Sequence, residues 1–431
     1  MRIACGLCAV LAAALGACTA SSPTTVPESS PITTSQRGAG QGTHGGLAAI
    51  PASSGADVAL QLEALLGLHS ILAADMMRAR VRADDDLAQS ANAALGLNTT
   101  AIADLLQPII GATAREQFTT LWTEHIQALF NYARGAATKD SDVRADARRE
   151  LVEYEDDLAR FFAAQSDGRL APAAALAAVD KHVEHLLEGV DAYAAQDYRA
   201  SAKIYRLSYA HSFEVGAVLS HALLPAKVGA TLDSPAQTLR TSLTHLLGEH
   251  VALMMATVRS SVGDQKDFTA MGAAINANTL DLTAAFDSLF GPAAARRFQA
   301  RWADHVDHLL AYTSATVRKD AAGRQNARQG MRDFDSSFAA FLSAATENRL
   351  PGTAMVGTFE DYDRRLLAEI DAYVSNDHER AQAVRQQLYA ETFTVAQQLS
   401  GAIGATLGAR LPRGGSQTGG GGTAIRFLQG G

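Results

Sequence analysis

Two stretches of this chain repeat each other at an offset of 180 residues. Phe118-x3-Trp122-x2-His125 recurs as Phe298-x3-Trp302-x2-His305. Tyr132 recurs as Tyr312, Lys139-Asp140 as Lys319-Asp320, Asp191-Ala192-Tyr193 as Asp371-Ala372-Tyr373, and Tyr209-Ala210 as Tyr389-Ala390. The register holds without a gap from Asn98/Asn278 to Phe213/Phe393. Upstream, Leu65-Leu66-Gly67-x-His69 matches Leu246-Leu247-Gly248-x-His250 at an offset of 181. Such a period is far longer than a solenoid unit and matches a domain. The expectation is two homologous domains, 57–229 and 233–412, joined near Asp233-Ser234-Pro235.

Each repeat must then build its own core from helices. Apolar residues recur at three- and four-residue steps, and alternating β-branched runs are missing. In repeat 1 the pattern predicts helices near 57–82, 100–110, 114–138, 141–165, 172–195 and 197–224. Breakers are expected at Leu97-Asn98, Gly111, Asp140, Gly168 and Pro172. Short connections make neighbouring helices antiparallel. The predicted fold class is all-α, two tandem homologous antiparallel helical-bundle domains. Outside the N-terminus no apolar run is expected to span a bilayer.

The three Cys stand at positions 5, 8 and 18, so the body holds no disulfide framework, thiolate metal site or catalytic Cys. Residues 1–17 have a short positive start at Arg2 and an apolar stretch from Ile3 to Leu15, the pattern of a signal peptide. Leu15-Gly16-Ala17-Cys18 resembles the bacterial lipobox. That resemblance implies a diacylglyceryl group on the Cys18 sulfur, cleavage before Cys18, and a lipid anchor of the palmitate type. Two acyl chains suffice for stable anchoring. The expected place is the extracytoplasmic face of the cell membrane. Residues 18–56 are rich in Ser, Thr, Pro and Gly and read as a flexible tether. Residues 413–431 read as a Gly-rich flexible tail. The formal net charge is -8, without a basic block, so nucleic acid is not an expected partner. The membrane, through Cys18, is; envelope protein partners stay open.

Histidines carry the chemistry. His69 falls within the apolar stripe Leu62, Leu65, Leu66, Ala73, Met76. His125 falls within Phe118, Trp122, Leu129, Tyr132, and His211 within Ile204, Val215, Val218, Ala222. His182 borders the stripe Val179, Val183, Leu186, Val190, while His185 is placed on the solvated side. Each of the four lies about 10–14 residues into its helix, or roughly 15–21 Å at 1.5 Å per residue. They therefore share a level, and His69, His125, His182 and His211 form the candidate metal site. Imidazole ligands suit Zn, Cu, Fe or Ni, and bundle interiors commonly hold such ions. Met76-Met77 and Met254-Met255 add a hint of copper, although Met at helical spacing is more often core filler. Copper or zinc is the cofactor expectation. In repeat 2, His250 and His305 recur, and Tyr362 and Glu391 stand at the other two positions. The second, weaker candidate set is therefore His250, His305 and Glu391.

Other acidic residues read as structural. The run Glu153, Glu155, Asp156, Asp157 reads as a solvated face, Asp84-Asp85-Asp86 as a helix start, and Lys139 and Lys319 as helix ends. Asp191 and Asp371 read as loop caps. There is no G-x-S-x-G, no P-loop and no H-E-x-x-H, and the repeated Glu-x-x-His of di-iron bundles is missing. Trp122-x2-His125 with the downstream pair His182-Val183 resembles uncharacterised secreted bacterial His-containing helical-bundle proteins. That resemblance carries no activity with it. The functional expectation is a lipid-anchored binding protein rather than an enzyme. It would hold a transition metal or small ligand on the core His of repeat 1. The alternative is a structural or interaction lipoprotein of the envelope, with the same His as core polar groups.

Overall fold

The structure is a computed structural model that describes residues 54–262 and 265–410. The expected signal peptide, Cys18, nearly all of the expected tether and the expected tail 413–431 lie outside the described residues. Repeat 1 comprises α1 (Gly55–Val81), α2 (Asp85–Ile110), α3 (Ala112–Thr138), α4 (Ser141–Gln165), α5 (Pro172–Ala194) and α6 (Tyr198–Leu223). The short α7 (Ala226–Leu232) leads to repeat 2. There α8 (Pro235–Val262), α9 (Phe268–Phe290), α10 (Pro292–Val317), α11 (Ala321–Ala345), α12 (Gly352–Val374) and α13 (His378–Arg410) follow in the same order, with a 3-10 turn at Gln265–Asp267 before α9. The described residues are thus all-α, as the periodicity requires.

Local chemistry explains the boundaries. Ser54 caps α1 by accepting from the Asp57 N–H, so the helix starts two residues inside the predicted tether. Asp84, Asp140, Asp197 and Asp320 cap α2, α4, α6 and α11 in the same way. Pro172 opens α5 at its first turn, where no amide hydrogen is needed. Lys139 and Lys319 adopt left-handed backbone next to those caps, which turns the chain sharply between long helices.

The expected break at Leu97-Asn98 does not occur. α2 runs from Asp85 straight through it. Asn98 is fully buried inside the helix, and its Nδ2 donates to the Leu65 carbonyl of α1 at 3.0 Å. Thr99 donates to the Leu95 carbonyl one turn back. An Asn with a tertiary partner outweighs its weak helix propensity. Asn278 does the same to Leu246 in repeat 2.

α1 is the hub of repeat 1, packing on α2, α3, α5 and α6. α1 and α2 are both long and apolar enough to cross a membrane by length and composition, contrary to the sequence expectation. In this fold α1 is mostly buried among its neighbours.

The two repeats are not fully separate: one apolar cluster, with Phe298, Trp302, Phe338 and Ile403, belongs to repeat 2 alone, but another is shared. The shared cluster runs from Leu62 through Phe118, Leu151 and Val183 into Val251, Leu309, Leu366 and Tyr389. α6 packs on α9 and its counterpart α13 packs on α2, while α1 meets α8. That pattern is a two-fold relation inside one chain. The equivalent residues Tyr209 and Tyr389 meet across it, hydroxyl to hydroxyl at 2.8 Å. Gly67 and Gly248 make room, since a Cβ on either would collide with these Tyr rings. Buried charge is concentrated on the same seam. Asp75 pairs with Arg259 at 2.8 Å and Arg385 at 2.7 Å, and Arg206 grips Glu249 with two bonds of 2.9 Å.

Candidate metal centre

Three histidines converge in repeat 1. His69 comes from the middle of α1, His125 from α3 and His182 from α5. Each offers one ring nitrogen, and the three lie within 4.8 Å of one another. Among the described residues no other three His, Cys, Asp or Glu side chains meet so closely. His69 and His125 are fully buried, and His182 is 7% exposed. His69 Nε2 and His125 Nε2 are 3.1 Å apart. Two nitrogens bound tetrahedrally about 2 Å from one ion would stand at a similar separation.

The hydrogen bonds fix the ring protons. Trp122 Nε1 can only donate, and it faces His69 Nδ1 at 3.2 Å. Nδ1 of neutral His69 therefore accepts, its proton sits on Nε2, and that proton is donated to His125 Nε2. His125 then carries its own proton on Nδ1, which is buried without a partner. The Ser212 hydroxyl donates to the Ser208 carbonyl at 2.9 Å and so can only accept from His182 Nδ1, at 3.4 Å. That leaves His182 Nε2 as a buried, unpartnered lone pair.

All three rings are held neutral. Burial pushes His69 well below the ordinary His range, and the two neighbouring imidazoles add to it. Burial lowers His125 to about 3. His182 is lowered well below its usual value, by burial first and then by His125, His211 and His185. Neutral imidazole is the form that ligates metals. Tyr154 stacks on His125, ring centroids 4.4 Å apart, and fixes that ring's plane. A cavity of about 30 Å³, lined by Trp122, Tyr154, Val179, His182 and Val215, adjoins the cluster and has room for a water or two.

His211 does not join the group. Its Nε2 donates to the Ala178 carbonyl at 2.9 Å, and its Nδ1 faces Glu214 at 3.5 Å. The reason is the real buried face of α6, which is Tyr205, Ser208, Tyr209, Ser212, Gly216 and Leu219. That face mixes Tyr205, Tyr209 and Leu219 with Ser208, Ser212 and Gly216, so it differs from the stripe of Ile204, Val215 and Val218. Val218, assigned to the stripe, is 42% exposed. His185 is buried rather than solvated and lies edge-on to His211, ring centroids 5.5 Å apart. The Met pairs are core residues. Met76 lies seven residues beyond His69, roughly 10 Å along the helix, too far to share an ion with it.

Repeat 2 keeps half of the arrangement. Trp302 donates to His250 Nδ1 at 3.3 Å, and the His250 and His305 rings are 5.8 Å apart. Glu391 is not with them: it pairs with Arg365 at the half-exposed edge of α13. The carboxyl group near His305 is Asp363, 4.0 Å from its Nδ1, and Asp363 faces Asp335. Both acids were missed. Asp363 lies on the stripe Phe359, Leu366, Ile370, and Asp335 lies between Met331 and Phe338. An acid interrupting an apolar stripe was the available signal.

The remaining acids are structural. Asp191 accepts from Tyr132 at 2.8 Å and from Arg144, tying α3 and α4 to the end of α5. Asp371 accepts from Tyr312 in repeat 2. Glu155 is buried and paired with Arg148 at 2.7 Å, not solvated. No family model, curated protein or solved structure matches this chain.

Proposed function

We propose that this chain is a lipid-anchored, extracytoplasmic binding protein that holds one transition metal ion through His69, His125 and His182. The reading rests on one observation: three buried, neutral imidazoles offer ring nitrogens within 4.8 Å of one another. An all-imidazole set suits zinc or copper(II); without a thioether in reach, the argument for copper(I) falls away. Binding is the role we read in this arrangement, three neutral imidazoles held together in the core. The anchor would be the Cys18 lipid, with the domain held outside the membrane by the tether.

Loading an ion needs His69 Nε2 free of its proton. The proton moves to Nδ1, and Trp122 loses its acceptor. This supports a second reading. In it, Trp122→His69→His125 is a closed hydrogen-bond chain that stabilises the core of an envelope structural or interaction protein.

Metal analysis of the purified chain, followed by titration with Zn²⁺ and Cu²⁺, separates the two. The metal reading predicts one ion per chain, bound far more tightly than about 1 mM, and lost in His125→Ala. No binding, or binding untouched by His69→Ala and His125→Ala, overturns it and leaves the structural reading.

A further inference from the structure

The cavity of repeat 1 reaches solvent on one side. All of its lining residues are buried except three, Ala178 on α5 and Val215 and Val218 on α6. Ala178 and Val215 are half-buried, and Val218 is 42% exposed although it lines the cavity. The mouth therefore lies between α5 and α6. Of the three candidate ligands, His182 alone lines this cavity. It is the first ligand that an ion entering between α5 and α6 would reach, and its Nε2 has no other partner.

His211 ties this gap together. Its Nε2 donates to the Ala178 carbonyl at 2.9 Å, so α6 is bonded to a residue of the mouth itself. Val215, which also lines the mouth, follows one turn later on α6. His185 of α5 lies edge-on to the His211 ring at 5.5 Å. Repeat 2 closes the equivalent gap with charge. Arg365 and Glu391 stand where repeat 1 has His185 and His211, and they form an ion pair. Gln398 stands at the position of Val218 and does not line the repeat 2 cavity, none of whose lining residues is exposed. A cavity of about 30 Å³ holds a water or two, less than a hydrated ion occupies, so α5 and α6 must part to admit one.

We infer that the gap between α5 and α6 is the route by which a divalent transition-metal ion enters and leaves the repeat 1 centre, with Val218 at its mouth and the His211–Ala178 bond as its clasp. The route rests on the metal reading proposed for that centre and adds what governs its exchange rate. Association that waits on a conformational change is slow. A clasp that holds the empty and the loaded chain alike sets how fast the ion passes, not how tightly it is held.

The test follows Zn²⁺ transfer from a chromophoric chelator to the metal-free full chain, which gives rate and affinity together. Val218→Trp, at an exposed position, should plug the mouth and slow loading at least about tenfold, within the roughly one to three decades over which association rates vary among related sites. Its affinity should match the wild type. His211→Ala should speed loading and release alike by about fivefold, the worth of one neutral hydrogen bond. Gln398→Trp, the same change in repeat 2, should leave the rate as it is. Val218→Trp that loads at the wild-type rate, or Gln398→Trp that slows loading as much, overturns the route. His211→Ala that loads no faster overturns the clasp. A wild-type chain that takes up no Zn²⁺ overturns the metal reading itself, and the route with it.

Discussion

At the residue scale, Trp122 sets the resting state of the repeat 1 centre. Its indole N–H holds the His69 proton on Nε2, the atom a metal would need. A buried neutral hydrogen bond is worth about 1 kcal/mol net, a factor of about five. Trp122→Phe should therefore tighten Zn²⁺ binding by about that factor, measured by competition with a chromophoric chelator. Weaker binding would mean that Trp122 supports the loaded state instead. His69, His125 and His182 were legible in the sequence because each interrupts or borders an apolar stripe at mid-helix. His211 satisfies the same rule and does not join, because the buried face of α6 is centred on Tyr205, Tyr209, Ser212 and Gly216 rather than on Ile204, Val215 and Val218. Asp335 and Asp363 are less legible, because their counterparts in repeat 1 are Glu155 and Val183 and neither aligns with a histidine.

At the element scale, α1 and α6 approach closely because Gly216 has no side chain. A Cβ there would meet the Glu63 backbone at 2.4 Å, and backbone cannot step aside. Gly216→Ala should cost roughly 1–3 kcal/mol of stability, the usual range for overpacking. Urea unfolding monitored by circular dichroism measures it; an unchanged midpoint would contradict the close contact. Helix ends were readable wherever chemistry is local: Asp140, Gly111 and Pro172 lie where the caps and turns fall. The continuity of α2 was not, because what keeps Asn98 helical is a carbonyl on another helix, 33 residues away.

At the scale of the whole molecule, the duplication was plain from the offset of 180, but its consequence was not. Apolar periodicity shows that each repeat buries a face. It does not show that Tyr209 and Tyr389 will touch across an internal two-fold. A core shared by both repeats predicts a single cooperative thermal transition for residues 54–410. Two resolved calorimetric transitions would contradict it.

The seam also carries acids that folding penalises at high pH. Burial raises Glu63 and Glu369 to about 8, against about 4.5 in the unfolded chain. Between these values the folded chain holds more protons than the unfolded one, so stability falls as pH rises. The buried histidines act oppositely, costing stability as pH falls below about 6.5, where the unfolded chain takes up protons first. From pH 6.5 to 8 the acids act alone. The melting temperature should drop over that interval, and Glu369→Gln should flatten the drop. An equally steep drop in that variant would contradict the assignment.

The most direct measurement of the central claim is X-ray absorption at the zinc edge of the zinc-loaded chain. Three imidazoles at about 2.0–2.1 Å are expected, with ring scattering lost in part in His182→Ala. A first shell of oxygen only, or a spectrum that none of His69, His125 and His182 alters when replaced, would contradict it.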